Sequence, residues 1–189
     1  MTTFLMAYYI VLLVLLVLFI AYMVHALVIS DKGVNPPWVP ATGESQEIIF
    51  NRVSEILKKA KRPLTVLDPG SGTGSLILRL AKAFPQHKFV GIEWSWPHYF
   101  AKFYARKLDN VMLVHGDMFK YSFKEADVIV CFVVPRFTPL LSKKIAKDCK
   151  KGCVIFSIHV ELPKLEQIET IEYKHFGYVS CAINVYKIK

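Results

Sequence analysis

The chemistry in this sequence is concentrated in Val66-Leu67-Asp68-Pro69-Gly70-Ser71-Gly72-Thr73-Gly74, where one acid precedes three alternating glycines. Glycine has no Cβ, so such a run can turn sharply and bring backbone close to a bound molecule. The spacing is G-x-G-x-G and not the G-x-G-x-x-G that receives a dinucleotide pyrophosphate. Asp68 points the same way, because a carboxylate repels phosphate and attracts a cation. Glu93 closes Phe89-Val90-Gly91-Ile92-Glu93, 19 residues after Gly74, where a carboxylate can accept hydrogen bonds from both hydroxyls of a ribose. Asp117, in His115-Gly116-Asp117-Met118, can accept from an adenine amino group, with Met118 supplying a backbone N–H and a soft wall for the ring. A nucleoside with a cationic amino-acid end answers all three acids, and S-adenosyl-L-methionine is such a molecule. The candidate cofactor contacts are Asp68, Gly70, Gly72, Gly74, Glu93, Trp94, Asp117 and Met118.

Three acids can converge only if three strand ends open onto one edge, and the flanking pattern supplies those strands. Strand-like runs at 64–67, 88–92, 111–115, 128–134 and 153–158 alternate with helix-like runs at 75–84 and 97–108. A further helix is predicted from Thr138, read as N-cap with Pro139 at the first helical position, and it stops at Gly152. Two closing strands are predicted at 168–173 and 181–188. Ahead of these, residues 44–62 place acids first and bases last, as the helix dipole favours, with Ile49, Val53, Ile56, Leu57 and Ala60 on one apolar face. Alternating β and α elements with short connections imply a Rossmann-like α/β fold: a seven-stranded, mostly parallel sheet flanked by helices.

The remaining residues are organised differently. Residues 1–30 contain no Asp, Glu, Lys or Arg, so all 24 basic and 15 acidic residues of the 189-residue chain lie after them. Phe4–Val24 is an unbroken apolar run, and ~20 helical residues at ~1.5 Å each cross a ~30 Å hydrocarbon core. A cleaved signal peptide would need a shorter apolar core behind a basic stretch, which this run lacks. Residues 1–30 are therefore read as a single-pass membrane anchor, 31–43 as a Pro- and Gly-punctuated connector, and 44–189 as the catalytic domain. Lys32, the lone base flanking the span, favours a cytoplasmic or matrix-facing domain. The net charge of +9 fits attraction to an anionic membrane surface. No block of bases is long enough to argue for nucleic acid. The four cysteines and six histidines show no metal-ligand spacing, so no metal is expected.

The glycine loop, Glu93 and Asp117 resemble the class I, seven-β-strand, S-adenosylmethionine-dependent methyltransferases. Pro37-Trp38-Val39-Pro40-Ala41-Thr42 after an apolar helix, with Val133-Val134-Pro135 after the fourth strand, is similar to a narrower group. These are the small membrane-anchored protein-lysine methyltransferases that act on the ATP synthase c-subunit and the adenine nucleotide translocase. The resemblance implies a cofactor role for Thr42 and a protein substrate in or near the membrane. The chain departs from that group at Thr73-Gly74-Ser75, where Asp-Gly-Arg is usual, and at Pro69. Phe132, Pro135 and Phe137 are candidates for a channel around the stem of the accepting lysine, and no residue is assigned as a general base. The segment containing them is not the Asn/Asp-Pro-Pro-Tyr/Phe of enzymes that methylate amino groups in DNA, which argues against nucleobase chemistry. The competing expectations are a lipid or small-amine N-methyltransferase, and a non-catalytic module that keeps the fold.

Overall fold

The computed structural model describes residues 2–31, 43–175 and 177–189, and within the first helix the side chains of residues 4–24. Of the predicted connector, residues 32–42, Thr42 among them, lie outside the described residues, while Asp31 and Gly43 belong to the helices on either side. The chain divides into two compact units, Met1–Val39 and Pro40–Lys189.

Among the described residues the first unit contains one helix, α1 (Thr2–Asp31), in which every side chain from Phe4 to Val24 is exposed. By length and composition it can cross a membrane.

The second unit is a seven-stranded sheet in the order β3-β2-β1-β4-β5-β7-β6. Its elements are α2 (Gly43–Lys59), β1 (Thr65–Pro69), α3 (Ser75–Ala83), β2 (Lys88–Glu93), α4 (Pro97–Ala105), β3 (Val111–His115) and β4 (Val128–Cys131). A 3-10 turn at Pro135–Phe137, α5 (Thr138–Asp148), β5 (Val154–Ile158), β6 (Gln167–His175) and β7 (Val179–Lys187) complete it. The first five strands are parallel, and β7 enters antiparallel between β5 and β6. Side chains alternate across a strand, and the core splits accordingly. Val66, Val128, Val130 and Phe156 face Ile49, Val53 and Leu57 of α2 and Leu80 of α3. Leu67, Ile129, Cys131 and Ile155 face Leu141 and Ile145 of α5 together with Phe123. Each such fully buried aliphatic side chain contributes ~1.5–3 kcal/mol.

Three expected boundaries are corrected. The fourth strand ends at Cys131 and not at Val134, because its last partner on β5 is Ser157. Beyond it Phe137 N–H donates to the Val134 carbonyl at 3.0 Å and curls the chain. Thr138 is not an N-cap: its backbone is already helical (φ −60°, ψ −39°), and its hydroxyl donates back to the Pro135 carbonyl at 2.8 Å. The helix it opens ends at Asp148, four residues before Gly152.

Candidate cofactor site at the carboxyl edge of the sheet

The strand order reverses between β1 and β4, and in open parallel sheets the crevice beyond the strand ends at such a reversal is where ligands bind. The glycine loop leaves β1 at this point. Gly70 and Ser71 N–H groups both donate to the Ile92 carbonyl, at 2.8 and 3.0 Å, so the loop folds back against the end of β2. Gly70, Gly72 and Gly74 have φ of 90°, 55° and 74°, a region that side chains strain. At Gly74 a Cβ would also come within 3.1 Å of Ala101 Cβ, so this glycine lets α4 pack against the start of α3. Gly91 has the tighter constraint, since a Cβ there would meet the Ser71 hydroxyl at 2.8 Å and Leu113 at 2.9 Å. Glycine inside a strand is a sign of close approach, made at Gly91 by the Ser71 and Leu113 side chains.

Glu93 ties the elements together. Its Oε2 accepts the Gly72 N–H at 2.9 Å, and its Oε1 accepts the Ser95 N–H at 2.8 Å and the Ser95 hydroxyl at 2.6 Å. A carboxylate offers about four acceptor positions, so one on Oε2 stays open for a ligand hydroxyl. The expected acceptor of two ribose hydroxyls is thus also the brace of the glycine loop, and Ser95 is its unpredicted support. Asp68 is buried beside it, and desolvation, followed by the Glu93 charge, pushes its carboxyl up to about 7. A cation placed against Asp68 would offset both effects, which is the fit expected for the ammonium of S-adenosylmethionine.

Asp117 lies two residues beyond β3, half-buried like Met118, with its Oδ1 accepting the Phe119 N–H at 2.8 Å. The Gly116 N–H donates to the Glu93 carbonyl at 3.1 Å and fastens this loop to the end of β2. Trp94 is exposed, its ring stacked 6.2 Å from His115, whose Nε2 pairs with the Trp94 carbonyl at 2.7 Å. Asp68, the glycines, Glu93, Trp94, Asp117 and Met118 therefore share the carboxyl ends of β1, β2 and β3.

The three channel candidates follow β4. Phe137 is half-buried with its ring 6.0 Å from Phe119, Pro135 is exposed, and Phe132 is half-buried. Phe132 meets His159 edge to face at 5.4 Å, and His159 in turn stacks on and hydrogen-bonds Tyr173. His159 has a φ of 64°, a region that residues with a Cβ visit sparsely and that is enriched at functional sites. Burial, and then the nearby His175, lower its pKa and keep the imidazole neutral. Spacing along the chain carries no sign of this pair, because 14 residues and a change of strand separate its members.

Comparison with known proteins places the geometry in a family. The family model "ANTKMT methyltransferase domain" matches residues 68–169. A Mus musculus protein named as a lysine N-methyltransferase of the ATP synthase c-subunit is 29% identical over 137 residues, covering 68% of this chain and 50% of its own length. A protein-lysine N-methyltransferase of Saccharolobus islandicus is 26% identical, with 80% of this chain and 93% of that protein covered. The chain spans about half the length of the vertebrate relatives it matches. Among solved structures, an RNA methyltransferase of Salinibacter ruber in complex with S-adenosyl-L-homocysteine superposes with a TM-score of 0.65. That match is 21% identical and covers 79% of this chain and 94% of the other, which establishes the shared fold.

Proposed function

Because the chain belongs to the ANTKMT methyltransferase domain family, we propose that it is an S-adenosylmethionine-dependent methyltransferase acting on lysine of a membrane or membrane-associated protein. The observation that carries the reading is the set of three acids at three successive strand ends around a glycine loop. Asp68 would pair with the cofactor's ammonium, Glu93 would accept from the ribose, and Asp117 and Met118 would bracket the adenine. Gly70, Gly72 and Gly74 would admit the amino-acid moiety, Trp94 would cover the exposed side, and Thr42 is assigned to the cofactor by resemblance.

The bound cofactor supplies a methyl group on an already activated sulfonium. Much of the acceleration can then come from alignment in a water-poor passage. Phe132, Pro135 and Phe137 would line that passage. The accepting lysine must be neutral, against an ordinary pKa of ~10.4, and an aromatic channel beside a positive centre favours the neutral amine. Neutral His159, hydrogen-bonded to Tyr173 and edge-on to Phe132, offers a polar end at which the amine can be oriented. The relatives named as lysine methyltransferases support this acceptor over a lipid or a small amine. The apolar α1 supports placing the substrate at a membrane.

The test is to incubate the full chain in nanodiscs with radiolabelled S-adenosylmethionine and membranes from its own source, then to separate protein from lipid. Label recovered as methylated lysine is the expected result. Label in the lipid fraction assigns the enzyme to lipid amines, and absence of both labelling and cofactor binding overturns the reading.

A further inference from the structure

Helix α4 (Pro97–Ala105) and the turn before it expose an unusual surface. The face directed into the protein is small: Pro97, His98 and Ala101 are buried, and Ala101 sits against Gly74. The outward side carries Trp94, Trp96, Tyr99, Phe100, Phe103 and Tyr104, each more than half exposed. Soluble domains seldom present contiguous apolar area on this scale without a use for it. The same side continues into an open groove of about 600 Å³ lined by Phe50, Leu78, Phe100 and Tyr104 together with the bases Arg79 and Lys82.

Within this segment the charge has one sign, although Glu93 and Asp109 flank it. Between residues 94 and 108 there are three bases, Lys102, Arg106 and Lys107, and no acid. All three are exposed, and the Arg106 guanidinium lies 4.2 Å from the centre of the Phe103 ring. Trp and Tyr with Lys and Arg is the composition that settles at the boundary between headgroups and hydrocarbon, rings inward and cations on the phosphates. The connector sets the distance. Residues 31–43, even fully extended at ~3.5 Å each, reach only ~45 Å, so a domain tethered through α1 stays within about that distance of the bilayer.

We propose that the α4 surface is a second membrane contact, which lays the catalytic domain against an anionic lipid surface. The proposal rests on the reading of α1 as a membrane anchor. Its consequence is orientation. Trp94 and Trp96 follow β2 directly, at the carboxyl edge that holds the candidate site. Docking through α4 therefore holds that edge next to the headgroups, where a lysine projecting just outside the membrane can enter. A tether alone fixes distance, whereas a tether and a docked face fix distance and direction.

The full chain allows a clean test because it has three tryptophans, Trp38, Trp94 and Trp96. A W38F chain would be reconstituted in nanodiscs containing anionic lipid brominated near the headgroup end of the acyl chains. Retention in the disc reports the anchor, and quenching of Trp94 and Trp96 reports docking. The expected result is retention with strong quenching, at least twofold weaker in purely zwitterionic discs. It should be largely lost in F103S/Y104S and in K102E/R106E/K107E, whose altered side chains are all exposed, with cooperative unfolding retained as the control. Retention without quenching overturns the lipid contact while sparing the anchor. Failure of the chain to enter discs overturns anchor and docking together. Quenching that ignores both sets of substitutions also overturns the proposal.

Discussion

Asp68 carries the sharpest expectation at the level of single residues, because its carboxyl has been pushed up to about 7 by burial and then by Glu93. A carboxyl must be ionised to hold an ammonium, so below pH 7 cofactor binding has to expel a proton. Affinity for S-adenosylmethionine should therefore rise as pH climbs toward 7, by up to ~10-fold per unit. It should level off and then decline above ~8, where an α-amino group loses its own proton. Titration calorimetry in two buffers of different ionisation enthalpy checks this, by showing proton release at pH 6 and little at pH 7.5. Asp68→Asn should bind weakly and with no slope between pH 6 and 7. Gly72 and Glu93 act on the same ligand through shape and hydrogen bonding. Gly72→Val puts a branched side chain at a φ of 55° and should abolish binding, with cooperative unfolding retained as the control. Glu93→Ala removes an acceptor for the ligand and the brace of the loop at once, and should weaken binding by ~2–3 kcal/mol. Near-wild-type affinity in either variant would contradict the site. Glu93 also shows where the sequence stops being informative. Its place at a strand end is legible from Phe89-Val90-Gly91-Ile92, but its bond to Gly72 N–H depends on how the loop folds back over β2. Spacing alone says nothing about that contact, or about His159 meeting Tyr173.

Among the elements, the two edges of the sheet divide the work, and Asp127 marks the edge opposite the site. It sits just before β4, where its Oδ2 accepts the Thr65 N–H at 2.9 Å and its Oδ1 takes Arg62 at 2.6 Å and Lys150 at 2.8 Å. Burial alone would raise its pKa, but the bonds from Arg62, Lys150 and the Thr65 backbone overcome that and hold it at about 2. A depressed carboxyl stabilises the fold above its unfolded pKa, and that contribution fades as pH falls from about 4 through about 2. Asp127→Asn should cost roughly 1–3 kcal/mol at neutral pH and lower Tm by ~2–4 °C per kcal/mol. It should leave cofactor affinity unchanged, since it lies across the sheet from the glycine loop. Thermal denaturation at pH 7 and pH 3 is the check: the gap between variant and parent should narrow at the lower pH. Element types are readable because hydrophobic period and glycine punctuation agree over most of the chain. The ends of β4 and α5 depart from the sequence pattern for a specific reason. The apolar run through Phe132, Val133 and Val134 predicts a longer strand, but β4 pairs with β5 only as far as Cys131 opposite Ser157, and the chain then curls at Val134–Phe137. Thr138-Pro139 has the composition of a cap, yet the Pro135 carbonyl claims the threonine hydroxyl.

On the scale of the whole molecule, the question is what α1 adds to a domain whose cofactor-site elements, Thr42 apart, all lie after residue 60. Every acid, the glycine loop and the aromatic passage are supplied by residues 66–173, so α1 has no evident part in holding the cofactor. Its proposed part is confinement, which raises the local concentration of a membrane-borne lysine without any added contact. Removing residues 1–30 should accordingly leave the calorimetric affinity for S-adenosylmethionine within about twofold of the full chain, while methylation of the native membrane target at nanomolar enzyme falls by ~10²-fold or more. Raising the enzyme to micromolar should recover part of that loss, because concentration in solution then replaces concentration at the surface. Fusing an unrelated single-span helix of the same topology to residue 31 should restore the rate. Three outcomes separate the possibilities. Equal labelling by the truncated and full chains at nanomolar enzyme removes confinement from the account. Failure of the unrelated helix to rescue means that α1 recognises its partner through its own side chains, as Tyr8, Tyr9 and the other exposed side chains of the span would permit. Rescue by the unrelated helix that disappears when F103S/Y104S is added shows that distance from the bilayer is not enough, and that the domain must also face it.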